Sequence, residues 1–183
     1  FATDEMRSRG FKEKPIASSF VEALHNGEFK VYYHPKVSSQ TYPVTGGEAL
    51  SRWFRDGQMI SPGEFIPVIE RNGMICMLDF YVLEQVCKDI TTWLNNGMTV
   101  GRMSINFSRK HLSNPHLVED IMDVLRKYDM ASRYVEIELT ETVDEVESSL
   151  LIDFIRRMKH YNVAVSIDDF GTGYSNLSHL KRL

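Results

Sequence analysis

From Val44 onward, short apolar runs of strand length alternate with longer segments of helical period. Such alternation implies a parallel sheet, because a parallel neighbour is reached only through a long crossover. Ile75, Leu78, Val82, Val86, Ile90 and Trp93 recur at helical spacing. So do Leu117, Ile121, Leu125 and Tyr128, and then Val146, Leu150, Phe154 and Met158. Ser61-Pro62-Gly63-Glu64 reads as a capping box with proline at the first helical position, and Asn114-Pro115 as a second N-cap with proline. Gly73 and Gly97 sit where helices should end. Strands are expected at about 100–107, 134–140 and 163–168, after one that ends near Glu48. Upstream, Phe29 to Val37 alternates and is rich in aromatics, which adds a strand. Ser19-Phe20-Val21-Glu22 and Gly27 bracket a short helix at about 19–26. A full eight-stranded (β/α) barrel takes about 250 residues. A chain of 183 with five such strands is therefore expected to be an incomplete one, and a chain that begins at Phe1 reads as a piece of something longer.

Composition narrows the partners. A formal charge of −4 and a pI near 5.9 argue against a protein that coats nucleic acid. No run is long enough to span a bilayer, and no signal peptide is visible. Cys76 and Cys87, eleven residues apart on one expected helix, read as free core thiols in a reducing cytoplasm.

Four apolar segments each end on an oxygen ligand. They are Gly46-Gly47-Glu48, Met103-Ser104-Ile105-Asn106, Val135-Glu136-Ile137-Glu138 and Val165-Ser166-Ile167-Asp168-Asp169. Carboxylates and an amide are hard donors that suit Mg²⁺ or Mn²⁺ rather than zinc. A lone strand-end glutamate is more often solvent-facing or salt-bridged, and Asn106 alone could start a turn. In a β/α barrel, however, strand C-termini converge on one mouth. Alternation also turns Glu138 away from the face of Ile137 and Leu139.

These residues carry a family resemblance over about 29–183. Glu48-Ala49-Leu50 with Ser51-Arg52-Trp53 resembles the signature of the EAL domains, the cyclic di-GMP phosphodiesterases of bacterial signalling. Ile60 to Pro67 is similar to their helix entry, Asn106-Phe107-Ser108 to their Asn-Leu-Ser segment, and Glu138-Leu139-Thr140-Glu141 to their Glu-Ile-Thr-Glu. Asp168-Asp169-Phe170-Gly171-Thr172-Gly173-Tyr174-Ser175 matches their long motif. The resemblance implies a TIM-type barrel whose first strand is antiparallel, and hydrolysis of cyclic di-GMP to linear pGpG. It implies that Glu48, Asn106, Glu138 and Asp168 bind one Mg²⁺ or Mn²⁺ and that Asp169 reaches toward a second, with Glu48, Asp168 and Asp169 catalytic. Arg52 would hold a phosphate, Leu50 and His34 would meet the nucleotide, and Glu141 would be a support residue. Two departures stand out. His34 replaces the usual glutamine of Tyr-Gln-Pro. The family's later Lys-Ile-Asp, Glu-Gly-Val-Glu and Gln-Gly motifs have no counterpart, so the chain alone is expected to be inactive. The alternative is a non-catalytic cyclic di-GMP receptor. Residues 1–27 resemble the helical joint to an upstream diguanylate cyclase domain, which leaves 28–183 as the N-terminal part of the EAL domain. The segment through Tyr174 and Leu177 resembles the family's dimer region. No contact with nucleic acid polymer or membrane is expected. A kinase reading of Asp169-Phe170-Gly171 fails, because no glycine-rich phosphate loop precedes it.

Overall fold

The computed structural model describes residues 16–39, 43–140 and 145–168. Helix α1 (16–25) leads into β1 (Phe29–Val37), β2 (Val44–Arg55) and β3 (Gln58–Ile60). Then follow α2 (Pro62–Arg71), α3 (Ile75–Asn95), β4 (Arg102–Phe107), α4 (Leu117–Lys127), β5 (Val135–Thr140), α5 (Glu145–His160) and β6 (Ala164–Asp168). One six-stranded sheet has the order β1-β2-β4-β5-β6, with β3 paired to β2. β1 and β3 run antiparallel to β2, whereas β2, β4, β5 and β6 are mutually parallel. The α/β class, the parallel sheet and the antiparallel first strand are as expected.

Strand β2 differs from expectation. It does not end near Glu48 but runs on to Arg55. Its parallel ladder with β4 stops at Ala49, and its remaining residues are held by β1 and β3 instead. Asp56 and Gly57, both at positive φ, form the two-residue turn into β3. Asp-Gly between strand runs is a strong hairpin signal, and it accounts for the sixth strand.

The helices cover one sheet face. Ala49, Ile105, Phe107, Ile137 and Leu139 are buried there with Leu78, Val82, Val86 and Ile90 of α3, Ile121 and Leu125 of α4, and Phe154 and Met158 of α5. Leu150 does not join them. It is exposed, and Leu151 takes the buried position, because the stripe of α5 is Leu151, Phe154 and Met158. The side chain of Val146 lies outside the described ones.

The caps also differ from expectation. Pro62 opens α2, but Ser61 makes no side-chain cap; its carbonyl accepts from Glu64 N–H instead. Ser19 lies inside α1, where its hydroxyl donates to Ile16 O and accepts from Arg55 Nη1. Asn114 is not the N-cap of α4 but closes the 3-10 turn Arg109–Ser113; its side chain accepts from His116 N–H, and α4 starts at Leu117. Both cysteines are free thiols. Cys87 is buried and its pKa is pushed up to about 12, while Cys76 is half-buried.

Candidate active site

Cross-strand partners share a sheet face, so the register sorts the candidate residues. His34 pairs with Glu48, Tyr32 with Leu50 and Lys30 with Arg52. Glu48 is level with Ser104, Asn106 with Glu138, Glu138 with Ser166, and Thr140 with Asp168. Through these pairs His34, Glu48, Leu50, Arg52, Asn106, Glu138 and Asp168 all belong to the face opposite the helices. The chain builds this polar face by alternation alone. Three of the ligand candidates are flanked by buried apolar neighbours: Ala49 after Glu48, Ile105 and Phe107 around Asn106, Ile137 and Leu139 around Glu138; before Asp168, Ile167 is half-buried.

Two contacts organise the face. Asn106 Nδ2 donates to Glu48 Oε1 at 2.8 Å. Lys36 Nζ donates to Glu138 Oε1 at 2.5 Å. Lys36 is on β1 and Glu138 on β5, with β2 and β4 between them. A flat sheet would put those strands about 14 Å apart. An ion pair across that gap is what a sheet curled toward its polar face produces. The Glu138 side chain is only 11% exposed, against 39% for Lys36. Lys36 was not among the residues singled out in the sequence, although it lies two positions after His34 and so shares its face.

Asp168 is exposed at the end of β6. Among the described residues, no three His, Cys, Asp or Glu side chains gather closely enough to hold a metal ion. Asp169, Glu141 and the Gly171–Ser175 segment lie outside the described residues. Beside the acids, the hydroxyls of Ser104 and Ser166 are buried and have no hydrogen-bond partner among the described residues. A buried hydroxyl normally finds one, so these two are open to water or to a bound group.

Arg52 donates through Nη1 to Ser51 O, and its guanidinium carbon lies 6.0 Å from the centre of the Tyr32 ring. The Phe54 ring is 6.1 Å from Tyr32. An arginine and two aromatic rings thus stand together further along β2 and β1 from Glu48.

The loop after Asn106 is fixed from behind. Ser108 N–H donates to Asp79 Oδ2 at 2.8 Å, and His111 Nε2 meets the same oxygen at 3.0 Å. Asp79 and His111 are both buried, with the imidazole against Phe80 and Phe107. Burial pushes the Asp79 pKa up, although the bonds from His111 and Ser108 pull the other way. On the other flank, Tyr33 O–H donates to Asp89 Oδ2 of α3 at 2.6 Å and pins β1. At the foot of β2, a Cβ on Gly46 would overlap the Arg102 carbonyl oxygen. The close approach of β2 and β4 therefore depends on glycine.

A family model described as EAL domain matches residues 17–183. The chain is 29% identical over 184 residues to the bifunctional diguanylate cyclase/cyclic di-GMP phosphodiesterase MucR of Pseudomonas aeruginosa, covering 100% of this chain and 27% of that protein. It is 31% identical over 184 residues to the cyclic di-GMP phosphodiesterase NbdA of the same species, covering 100% and 24%. It superposes on the PaMucR phosphodiesterase in its c-di-GMP complex with a TM-score of 0.84 at 30% identity, covering 92% of this chain and 69% of that one. The chain spans about a quarter of the length of these curated relatives.

Proposed function

The chain belongs to the EAL domain family, and from that premise we propose that it supplies metal and nucleotide ligands to a phosphodiesterase that opens cyclic di-GMP to linear pGpG. The polar face carries the reading: four strands bring Glu48, Asn106, Glu138 and Asp168 to the same side as His34, Leu50 and Arg52. The family implies a divalent metal, and the residues fit one. The donors are all oxygen, Glu138 already attracts a cation, and the orphaned hydroxyls of Ser166 and Ser104 are level with Glu138 and Glu48. Glu48, Asn106, Glu138 and Asp168 would hold Mg²⁺ or Mn²⁺, with Asp169 toward a second ion. Bound there, such ions lower the pKa of an attacking water and neutralise charge on the phosphate. The chain's own groups orient the reactants. The amide of Asn106 fixes one oxygen of Glu48 and leaves the other free. The Arg52 fork suits a phosphodiester oxygen pair. Leu50 packs against the nucleotide, and His34 gives or takes one hydrogen bond where the family's glutamine would offer two kinds.

We place this activity in the cytoplasm, beside an upstream diguanylate cyclase-type domain such as the one in the name of the MucR relative, and in a homodimer. Among the described residues no helix is long and apolar enough to cross a membrane.

A second reading, binding without hydrolysis, draws support from the ammonium of Lys36 on Glu138 and from His34. Incubation of the chain, and of a version extended through the family's later strands, with cyclic di-GMP and Mg²⁺ or Mn²⁺ separates the two. Chromatographic appearance of pGpG from the extended version, lost in Glu48→Gln, supports the hydrolase. Calorimetric binding that is indifferent to EDTA, with no pGpG from either, assigns the receptor.

A further inference from the structure

Glu138 and Lys36 need each other unequally. The carboxylate is nearly buried, and a buried charge without a partner is costly. The lysine side chain is much the more exposed of the two, and its flexible stem can return the ammonium to water at little cost. Glu138 therefore requires a cation beside it, whereas Lys36 does not require Glu138. The partner of Lys36 on β2 is Gly46, which has no side chain to stand in its path toward β5. The pairing also spans two intervening strands, so it is not a by-product of adjacency.

We propose that Lys36 is a tethered counter-ion that occupies the cation position at Glu138, and that a divalent ion enters by displacing its ammonium. This rests on the metal reading above. In the exchange one singly charged ammonium leaves as one doubly charged ion arrives; the extra positive charge is taken up by the other carboxylates of the face, Glu48 and Asp168, and no bond to carbon is made or broken. Lys36 is then a residue that sets metal affinity. It keeps the polar face folded and neutralised before metal binds, and it raises the metal concentration needed to fill the site. A purely structural strut would do only the first.

The test is a Mn²⁺ titration of the chain followed by the electron paramagnetic resonance signal of free Mn²⁺, with thermal melting in parallel. Lys36→Met is expected to bind Mn²⁺ about tenfold more tightly than the unchanged chain. It should also melt lower without metal and gain more from added Mn²⁺. Glu138→Gln should lose binding in either background. Should Lys36→Met not fold without metal, Lys36→Gln keeps a polar terminus without the charge, and its expected affinity rises in the same way. Equal Mn²⁺ affinity with and without Lys36 overturns the counter-ion while leaving the metal site standing. Absence of Mn²⁺ binding in every variant overturns both.

Discussion

Asp79 is the residue whose loss should be felt furthest from its position. It is buried on α3, yet it holds Ser108 N–H and His111 beyond β4, and through them the strand end that presents Asn106. Leaving one partner of a buried hydrogen bond unsatisfied costs about 1–3 kcal/mol. His111→Ala should destabilise by that order in urea unfolding, and His111→Gln, which retains a donor, by clearly less. Equal losses would mean that packing against Phe80 and Phe107, not the hydrogen bond, fixes the loop. Glu28 gives the pH dependence. Burial alone would raise its pKa. The hydrogen bonds from Trp53 and Arg55, with the Arg55 charge, outweigh this and hold it below its ordinary 4.5. A lowered folded pKa means stability that is present above the ordinary value and lost as pH falls through the folded one. Thermal melts of Glu28→Gln should therefore fall below wild type at neutral pH, with the gap closing in acid. A gap that persists unchanged in acid would exclude the charge as its source.

At the scale of elements, period and punctuation gave most of the fold. β1, β4, β5 and β6 fall within a residue or two of their expected bounds, and the stripe Ile75–Leu78–Val82 of α3 is buried as its period requires. The polar face of Glu138 was legible too, from its place between Ile137 and Leu139. Three features were missed where a local signal met a tertiary one. Ser19 looked like a cap but bonds Arg55 across space. β2 looked finished at Glu48, but its two antiparallel partners extend it to Arg55. The pairing of Lys36 with Glu138 joins residues 102 apart in sequence, and no local pattern announces it. The glycine foot of β2 yields a prediction of its own. Gly46→Ala forces a Cβ into the Arg102 carbonyl. Overpacking of this kind costs about 1–3 kcal/mol, and here it should part β2 from β4. Both the melting temperature and Mn²⁺ affinity should drop, since Glu48 and Asn106 meet across that seam. A variant that loses stability but binds Mn²⁺ normally would show that the seam does not align the two.

For the whole molecule, an aromatic cluster within the continuous hydrophobic core ties the first elements of the chain together. Phe20, Phe29, Trp53 and Phe65 are fully or almost fully buried and meet edge-on or stacked, with centroids 5.0–6.4 Å apart. They fasten α1, β1, β2 and α2 into one block, and Trp53 Nε1 donates to Glu28. Truncating a buried aromatic costs about 3–5 kcal/mol. Trp53→Ala should lose at least that much in denaturant unfolding, together with the contact to Glu28. A loss below about 1 kcal/mol would show that the block holds without it. The alternation that builds the polar face has a further consequence. Glu48, Asn106 and Glu138 each lie one position from a residue of the hydrophobic core, so these strands carry their chemistry in a two-beat phase. Length changes in the connecting loops leave that phase intact. Deletion of one residue within β5 ahead of Glu138 would shift it by a single beat, turning Leu139 toward the ligands and the carboxylate toward the helices. The lineage of such a chain can therefore vary its loops freely in length, but its strands only by substitution.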